Sequence, residues 1–441
     1  MKNVKLSKLW DSLHSSYWFI PTLMALGSMI LAISMLTLDR AGNTPNWWWI
    51  YTGGTDGARS VLSSVASSMV SVVATAFSIT IVALQLASSN FGPRLLRNFM
   101  QDTGNQIVLG TFIATFIYCL LVLRTIHSEG EEYKEFVPQL SVTVGTVLAI
   151  ASIGVLIYFI HHASTIIQAS HVITQVSGEL DKAIDRLFPE KMGDDRANKP
   201  RQIGEIPANF DAEASPIKAT FEGYLQAIDD GELMKIARHE NLLVFVKTHP
   251  GKFVIAGSNL AMVLPGERVN HHLTKQINDA FIIGKERTEY QDVEFPIAQL
   301  VEIALRAISP AVNDPFTAIR CIDRLSAGLS RLAQRDFPLP YRYDGSRNLR
   351  IIAEGVTFEE LVNSAFNQIR QYGKSDVAVT IRLLEALARI VPYTRNFQQR
   401  ETLRRHAQMI LNSSCEHISQ EDDRQDVRDR YQRVITALEI N

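Results

Sequence analysis

Charge is missing where this sequence is most apolar. No acidic or basic residue lies between Arg59 and Arg94, nor within Trp18–Leu38, 107–123 or 137–160. Intramembrane enzymes and proton-coupled carriers work through ionisable groups at depth, so their absence from these runs argues against both. Cysteine is scarce as well. Cys119, Cys321 and Cys415 are scattered, with no CxxC pair and no Cys/His ligand spacing, which excludes a disulfide framework and gives no zinc site. No GxSxG, HExxH, P-loop or GxGxxG run occurs, so the common catalytic and nucleotide-binding motifs are missing. A basic excess is absent too: the formal charge is -2 over 441 residues, unlike a nucleic-acid binder. No enzyme, metal or cofactor is expected.

What is present divides in two. Residues 1–162 hold most of the long apolar runs and residues 163–441 most of the charge. Each of the four uncharged runs is long enough to cross a bilayer, which takes roughly 20 apolar residues. The first follows Lys2, Lys5 and Lys8 but is too long for the apolar core of a signal peptide, so a retained anchor is expected. Lysine and arginine mark the cytoplasmic side of a span. Lys2, Lys5 and Lys8 precede the first run and Arg94 and Arg97 follow the second, whereas the loop after the third carries Glu129, Glu131, Glu132 and Glu135. Both termini are therefore expected in the cytoplasm, with an aromatic cluster of Trp47, Trp48, Trp49 and Tyr51 anchoring the first outer loop at the headgroups.

The second run is uncharged yet rich in hydroxyls. Positions taken in steps of four and three read Ser64, Ser68, Ser71, Thr75, Ser78, Val82, Gln85 and Ser89, seven of eight polar. That spacing places them on one stripe of a helix. Two explanations stand side by side. Small residues let helices approach closely, or the stripe faces water in a pore built from several copies. Gln85 fits close packing poorly. The run is also long for one crossing, with Gly92-Pro93 as a plausible break. Arg94 and Arg97 beyond it could meet lipid phosphates or ring an inner pore mouth.

After the fourth run, Ile166, Ile167, Ile173, Val176, Leu180, Ile184 and Leu187 recur at helical spacing, the pattern of a stalk. His161, His162 and His171 lie near its start, and no carboxylate partner is placed beside them by sequence. Residues 189–207 are polar and proline-punctuated, a linker. Short β-branched or aromatic runs follow: GYLQAID, LLVFVK, KFVIAG and LAMVLPG. The stretch HPGKFVIAGSNLAMVLPG is similar to the hairpin of a lipoyl- or biotinyl-type barrel-sandwich module. No lysine precedes Lys275 in LPGERVNHH, so no swinging arm is expected. Beyond Asp279 the pattern is mostly helical, with amphipathic helices expected near Phe358–Tyr372, Val377–Ile390, Gln398–Leu411 and Asp423–Ile440. The break SPAVNDP separates two earlier helical runs. Asp314 suits an N-cap and Pro315 the first helical position. Those roles leave Asn313, Ser309, Pro310 and the pair Glu302 and Arg306 unexplained, and a polar network at an intersubunit contact or ligand site would use them.

SPAVNDPFTA, together with ALQLASSNFGPRLLRNFMQD, GTFIATFIYCLLVLR and ERTEYQDVEFPIAQLVEIALRAISP, resembles a bacterial family of predicted integral membrane proteins, domain of unknown function twenty-two fifty-four. The resemblance covers nearly the whole chain. It implies a bacterial inner-membrane protein with four spans and a cytosolic domain, and it implies no activity, substrate or catalytic residue.

The expected fold is thus a membrane α-helical part with four transmembrane helices, plus a cytosolic α+β part holding a small β barrel-sandwich-like module and a C-terminal helical bundle. The expected divisions are a four-span domain over 1–162, stalk and linker over 163–206, a β-rich module over 207–278 and a helical domain over 279–441. The expected function is a homo-oligomeric channel that passes small ions along the second span and is gated by the cytosolic domain. The alternative is a non-conducting, membrane-tethered sensor or scaffold. The expected partners are the lipid bilayer, further copies of the chain and small ions, with no nucleic acid.

Overall fold

The computed structural model describes residues 16–42, 48–92, 99–100, 102–128, 135–188, 207 and 210–440, which divide into two compact units between Val172 and Ile173. The first unit contains four helices long and apolar enough to cross a membrane: α1 (Phe19–Arg40), α2 (Thr55–Phe91), α3 (Thr103–Leu123) and α4 (Gln139–Ile166). At 37 residues α2 rises about 55 Å at 1.5 Å per residue. Its end at Phe91 is followed by Gly92 at φ 106°, in a region that side chains rarely enter.

α3 is the hub. Half of its apolar window is buried, against 22% for α1 and α2 and 28% for α4, and all three of those helices pack on it. Tyr118, Cys119 and Val122 of α3 meet Ala58 and Leu62 of α2, Ala32 of α1 and Val142 of α4 in one cluster, and Phe112 and Phe159 anchor a second. Polar groups inside the unit pair with each other. Tyr118 Oη donates to the Ser141 carbonyl at 3.0 Å, and Thr115 Oγ1 lies 3.2 Å from Ser152 Oγ. Asp39, near the end of α1, accepts the backbone N–H groups of Leu140 and Ser141 at 2.9 Å and the Ser141 hydroxyl at 2.6 Å. It thereby satisfies donors that the first turn of α4 would otherwise leave free.

The second unit begins within α5 (Ala169–Leu187), which follows α4 after a two-residue break. A four-residue helix α6 (Phe210–Glu213) leads into strands β1 (Ser215–Lys218) and β2 (Gly223–Ile228), helix α7 (Asp230–His239), and strands β3 (Leu243–Val246), β4 (Phe253–Val254) and β5 (Asn259–Leu264). Helix α8 (His271–Ala280) and strand β6 (Phe281–Gly284) come next. The chain continues through α9 (Glu294–Ala307), α10 (Pro315–Ala333), β7 (Tyr341–Tyr343), β8 (Leu349–Ala353), α11 (Phe358–Tyr372), α12 (Val377–Ile390), α13 (Phe397–His417) and α14 (Glu421–Ile440).

The strands form two open sheets, ordered β1-β5-β3-β8-β7 and β4-β2-β6. The barrel-sandwich expectation finds no counterpart: no closed barrel occurs among the described residues. The hairpin sequence that prompted it supplies β4 and β5 to two different sheets. Two strands from the stretch expected to be helical, β7 and β8, complete the larger sheet through a parallel β3–β8 ladder pairing Val244 with Ile351. Parallel strands need a long crossover, and no local pattern announces such a partner. Leu225, Val244, Leu260, Val263, Leu273 and Ile277 share one core between the sheets and α7 and α8.

Three of the later helices open on side-chain caps. Thr357 and Glu360 form a capping box at α11, Asp376 caps α12 and Asn396 caps α13. The repeated apolar positions expected of a stalk are packed: Ile173, Val176, Leu180 and Ile184 are all buried. α5 lies against α10, where Arg331 pairs with Asp181 and Asp185 and Arg335 reaches Asp185 at 2.9 Å. The helices meet at Gly328, where an added Cβ would fall 2.6 Å from Leu180 Cδ2.

Removing a helical glycine returns roughly 0.5–1 kcal/mol, while forcing branched carbons into a filled core costs about 1–3 kcal/mol. Gly328→Val therefore destabilises the protein on balance, as measured by chemical unfolding. Leu180→Ala alone costs about 2–5 kcal/mol, and the double variant loses less than the sum of the two single losses, because both changes act on one contact.

Candidate functional site

The hydroxyl stripe lies on the outside of the first unit. The buried residues of α2 are Ala58, Leu62, Ala66, Met69, Ala76, Thr80, Ala83, Ala87 and Phe91. Seven of the eight stripe positions follow one of these by two residues, about 200° around the helix axis. Ser64, Ser68, Ser71, Thr75, Ser78, Val82, Gln85 and Ser89 are all exposed. Alanines rather than serines let α2 approach α3, so the stripe takes no part in the packing of a single copy. Its flanks are apolar and open: Val70, Phe77, Ile79, Ile81 and Leu86 are each 40–51% exposed.

The hydroxyls are not left wanting. Ser68 donates to the Ser64 carbonyl at 2.7 Å, Ser71 to Ser67 at 3.3 Å, Thr75 to Ser71 at 3.0 Å and Ser78 to Ala74 at 2.8 Å. Ser89 donates to Leu86 at 3.0 Å. A hydroxyl that returns its proton to its own helix keeps free lone pairs on its outer side. The stripe thus presents a row of acceptors, interrupted at Val82, on an otherwise apolar helix. Arg94 and Arg97 lie outside the described residues.

The SPAVNDP break is explained by backbone geometry. Asp314 caps α10, accepting the Thr317 N–H at 3.1 Å and the Thr317 hydroxyl at 2.6 Å, and Pro315 opens the helix. Asn313 sits at φ 51°, the left-handed region that asparagine tolerates better than most residues. The turn is tied by the Asn313 N–H to the Ser309 carbonyl at 2.9 Å and the Asp314 N–H to the Ala307 carbonyl at 2.7 Å. Ser309 Oγ returns to the Arg306 carbonyl at 2.7 Å, and Pro310 is exposed. Glu302 and Arg306 stand 3.7 Å apart as an i,i+4 pair. Asp314, Asn313 and Ser309 thus build a turn between two helices, with the Glu302 and Arg306 pair one to two turns upstream on α9. Among the described residues no group of three or more His, Cys, Asp or Glu side chains could hold a metal.

Residues 14–389 match the family described as "Predicted membrane protein (DUF2254)". The chain belongs to this family. Uncharacterised proteins of Mycobacterium bovis and Mycobacterium tuberculosis are similar to it, each 33% identical over 430 residues, covering 94% of this chain and 79% of theirs. No solved structure matches it. The chain is therefore a multi-pass membrane protein by family and by its four apolar helices. The match includes both α2 and the SPAVNDP turn and ends within α12.

A polar contact between Asp102 and His162 in the first unit was not visible in sequence. Asp102 caps α3, accepting the Asn105 N–H at 2.8 Å, and also meets His162 Nε2 at 2.7 Å. His162 stacks on Tyr158 with ring centroids 5.3 Å apart. An Asp three residues before Asn105 is a capping signal, but nothing local ties it to a histidine 60 positions on. Gly104 permits the approach, since an added Cβ would lie 2.6 Å from His162 Nε2. In the second unit two titratable groups are buried in the packing. Cys321 is fully buried with its thiol pushed up by burial. Burial, helped by Arg405 and Arg370, holds His406 down to about 4, so it is neutral where Nε2 meets Asn363 Oδ1 at 2.9 Å.

At the turn, Asp314→Ala costs about 0.5–2 kcal/mol of stability, while Asp314→Asn, still a capping residue, is nearly silent. Asn313→Gly leaves stability unchanged and Asn313→Val costs about 1–2 kcal/mol, since a β-branched side chain resists the left-handed region. Chemical unfolding of the four variants distinguishes this backbone role from a ligand-binding one, in which Asn313→Gly would also abolish function.

Proposed function

We propose that several copies of this chain assemble around α2 into an inner-membrane channel that passes small ions along the hydroxyl stripe and is gated by the cytosolic second unit. The observation that carries this reading is the position of the stripe. A membrane-spanning helix turns its alanines inward and a row of exposed hydroxyl acceptors outward, and acceptor oxygens suit cations or water better than lipid. Val82 is the one apolar member, so a ring of Val82 side chains would form a constriction that gates by dewetting.

One observation favours the second reading, a non-conducting tethered sensor or scaffold. Ser68, Thr75 and Ser78 already bond to their own helix, so the same face could seal dry against another helix.

Cysteine scanning separates the two. With Cys415 replaced by serine, since Cys119 and Cys321 are buried, single cysteines at Ser68, Ser71, Thr75 and Ser78 react with water-soluble thiol reagents, while Val72 and Ile79 positions stay protected. Val82→Ser raises ion leak in reconstituted vesicles and Ile81→Ser does not. A dry seam reverses both results: the stripe is unlabelled, no flux is seen, and Ser71→Leu breaks assembly.

The orientation is part of the proposal. The lysines at 2, 5 and 8 and the arginines at 94 and 97 support a cytoplasmic side for both termini, because basic residues favour that side of a span. Alkaline phosphatase fused after Asn441 is accordingly inactive in cells, and periplasmic activity of that fusion would reverse the topology.

A further inference from the structure

Most arginines in the helical region are engaged by carboxylates, but two on α10 are bare. This helix carries three arginines and one carboxylate. Arg331 is held by Asp181 and Asp185. The carboxylate, Asp323, is occupied by Arg389 at 2.8 Å and Arg382 at 3.5 Å. Arg320 and Arg324 are exposed and enter no ion pair or hydrogen bond among the described residues. One turn ahead of Arg320, Phe316 is 76% exposed, and Val312 in the preceding turn is 55% exposed.

Positions 316, 320 and 324 share one face of α10 and extend over about 12 Å. An open aromatic ring beside two uncompensated guanidinium groups is an amphipathic surface, apolar at one end and cationic along its length. Asp314 lies at the apolar end, but its carboxylate is committed to Thr317. The local balance is therefore positive.

We propose that Val312, Phe316, Arg320 and Arg324 form a docking surface for the phosphate headgroups of an anionic bilayer. Guanidinium groups bind phosphate oxygens bidentately, and each basic residue near an anionic surface contributes attraction that salt screens. Phenyl and aliphatic side chains enter the boundary between headgroups and acyl chains. The occupant follows from charge complementarity and from tethering. The chain is a membrane protein, so a lipid surface is always present at high effective concentration. The inference does not depend on whether α2 conducts.

The test uses the full chain reconstituted in vesicles. A polarity-sensitive fluorophore is attached at Ala311→Cys in a Cys415→Ser background, next to the surface but outside it. In phosphatidylcholine vesicles containing phosphatidylglycerol, brominated lipids quench the label and its emission shifts to the blue. In pure phosphatidylcholine, or at high salt, both effects are lost. Combined Arg320→Glu and Arg324→Glu lower quenching in anionic vesicles to the level of neutral ones, and Phe316→Ser abolishes the blue shift. Both sets of changes are at exposed positions, and unchanged unfolding midpoints confirm that the fold is retained. Quenching that ignores lipid charge overturns the proposal. So does a signal that follows protein-to-lipid ratio instead, which would assign the surface to a second copy of the chain. Equal quenching of a label on Cys415 would reduce the effect to general adsorption and likewise overturn it.

Discussion

A hydrocarbon interior offers polar groups no water, so each must find its partner inside the protein. The first unit is organised by that condition. Helices satisfy the backbone, and the hydroxyls of α2 return to carbonyls of the same helix. Where a helix begins inside or near the apolar layer, another part of the chain supplies the missing acceptor, as Asp39 does for α4. Among the buried polar residues of α3 and α4, Thr115 and Ser152 pair across the helix contact. With most of the α2 hydroxyls bonded within their own helix, the choice of which of its faces packs is left to shape.

Shape separates the two small-residue stripes of α2. Alanine and serine are close in size, but a buried serine would need its hydroxyl directed to a carbonyl within a tight contact, whereas alanine has nothing to satisfy. α3 is the bulkier helix at this seam, contributing Phe112, Tyr118 and Val122, and it takes the alanine side. The opposite side is left with the hydroxyls and the open apolar flanks. This division gives α2 a surface that a single copy does not use.

The second unit solves a different problem, holding many charged helices on a modest apolar core. It does so with close approach and with pairing. Gly328 lets α5 settle against α10, and Arg331 of α10 and Arg335 just beyond its end reach the aspartates of α5. Exposed pairs of this kind add little stability singly, so the buried contacts of Leu180 and Ile184 carry the packing while the charges fix its register. Deeper in, Asp292 is almost wholly buried beside Arg287 at 2.6 Å. Burial raises its carboxyl and the guanidinium opposes that rise, an arrangement stable only while both partners remain.

Sequence alone determined the features written in neighbouring residues. Uncharged runs located the four spans, and Asp314 marked a helix start because a cap acts within one turn. Period and spacing placed the hydroxyls on one stripe and located the later helices, although α13 runs on to His417 beyond its expected end at Leu411. The motifs carried the family. Asn313 was noticed but not understood, since a left-handed residue is a property of the folded turn. Tertiary structure decided the rest. It put β8 beside β3 across about 100 residues of intervening chain, joined Asp102 to His162, and drew the stalk-like helix into a core. It also decided that the alanines of α2 face inward and the serines outward. Both stripes have the same period, and only contact with α3 breaks the tie. Local signals arise from interactions within a turn or two of the chain, whereas these outcomes depend on surfaces that come together only on folding.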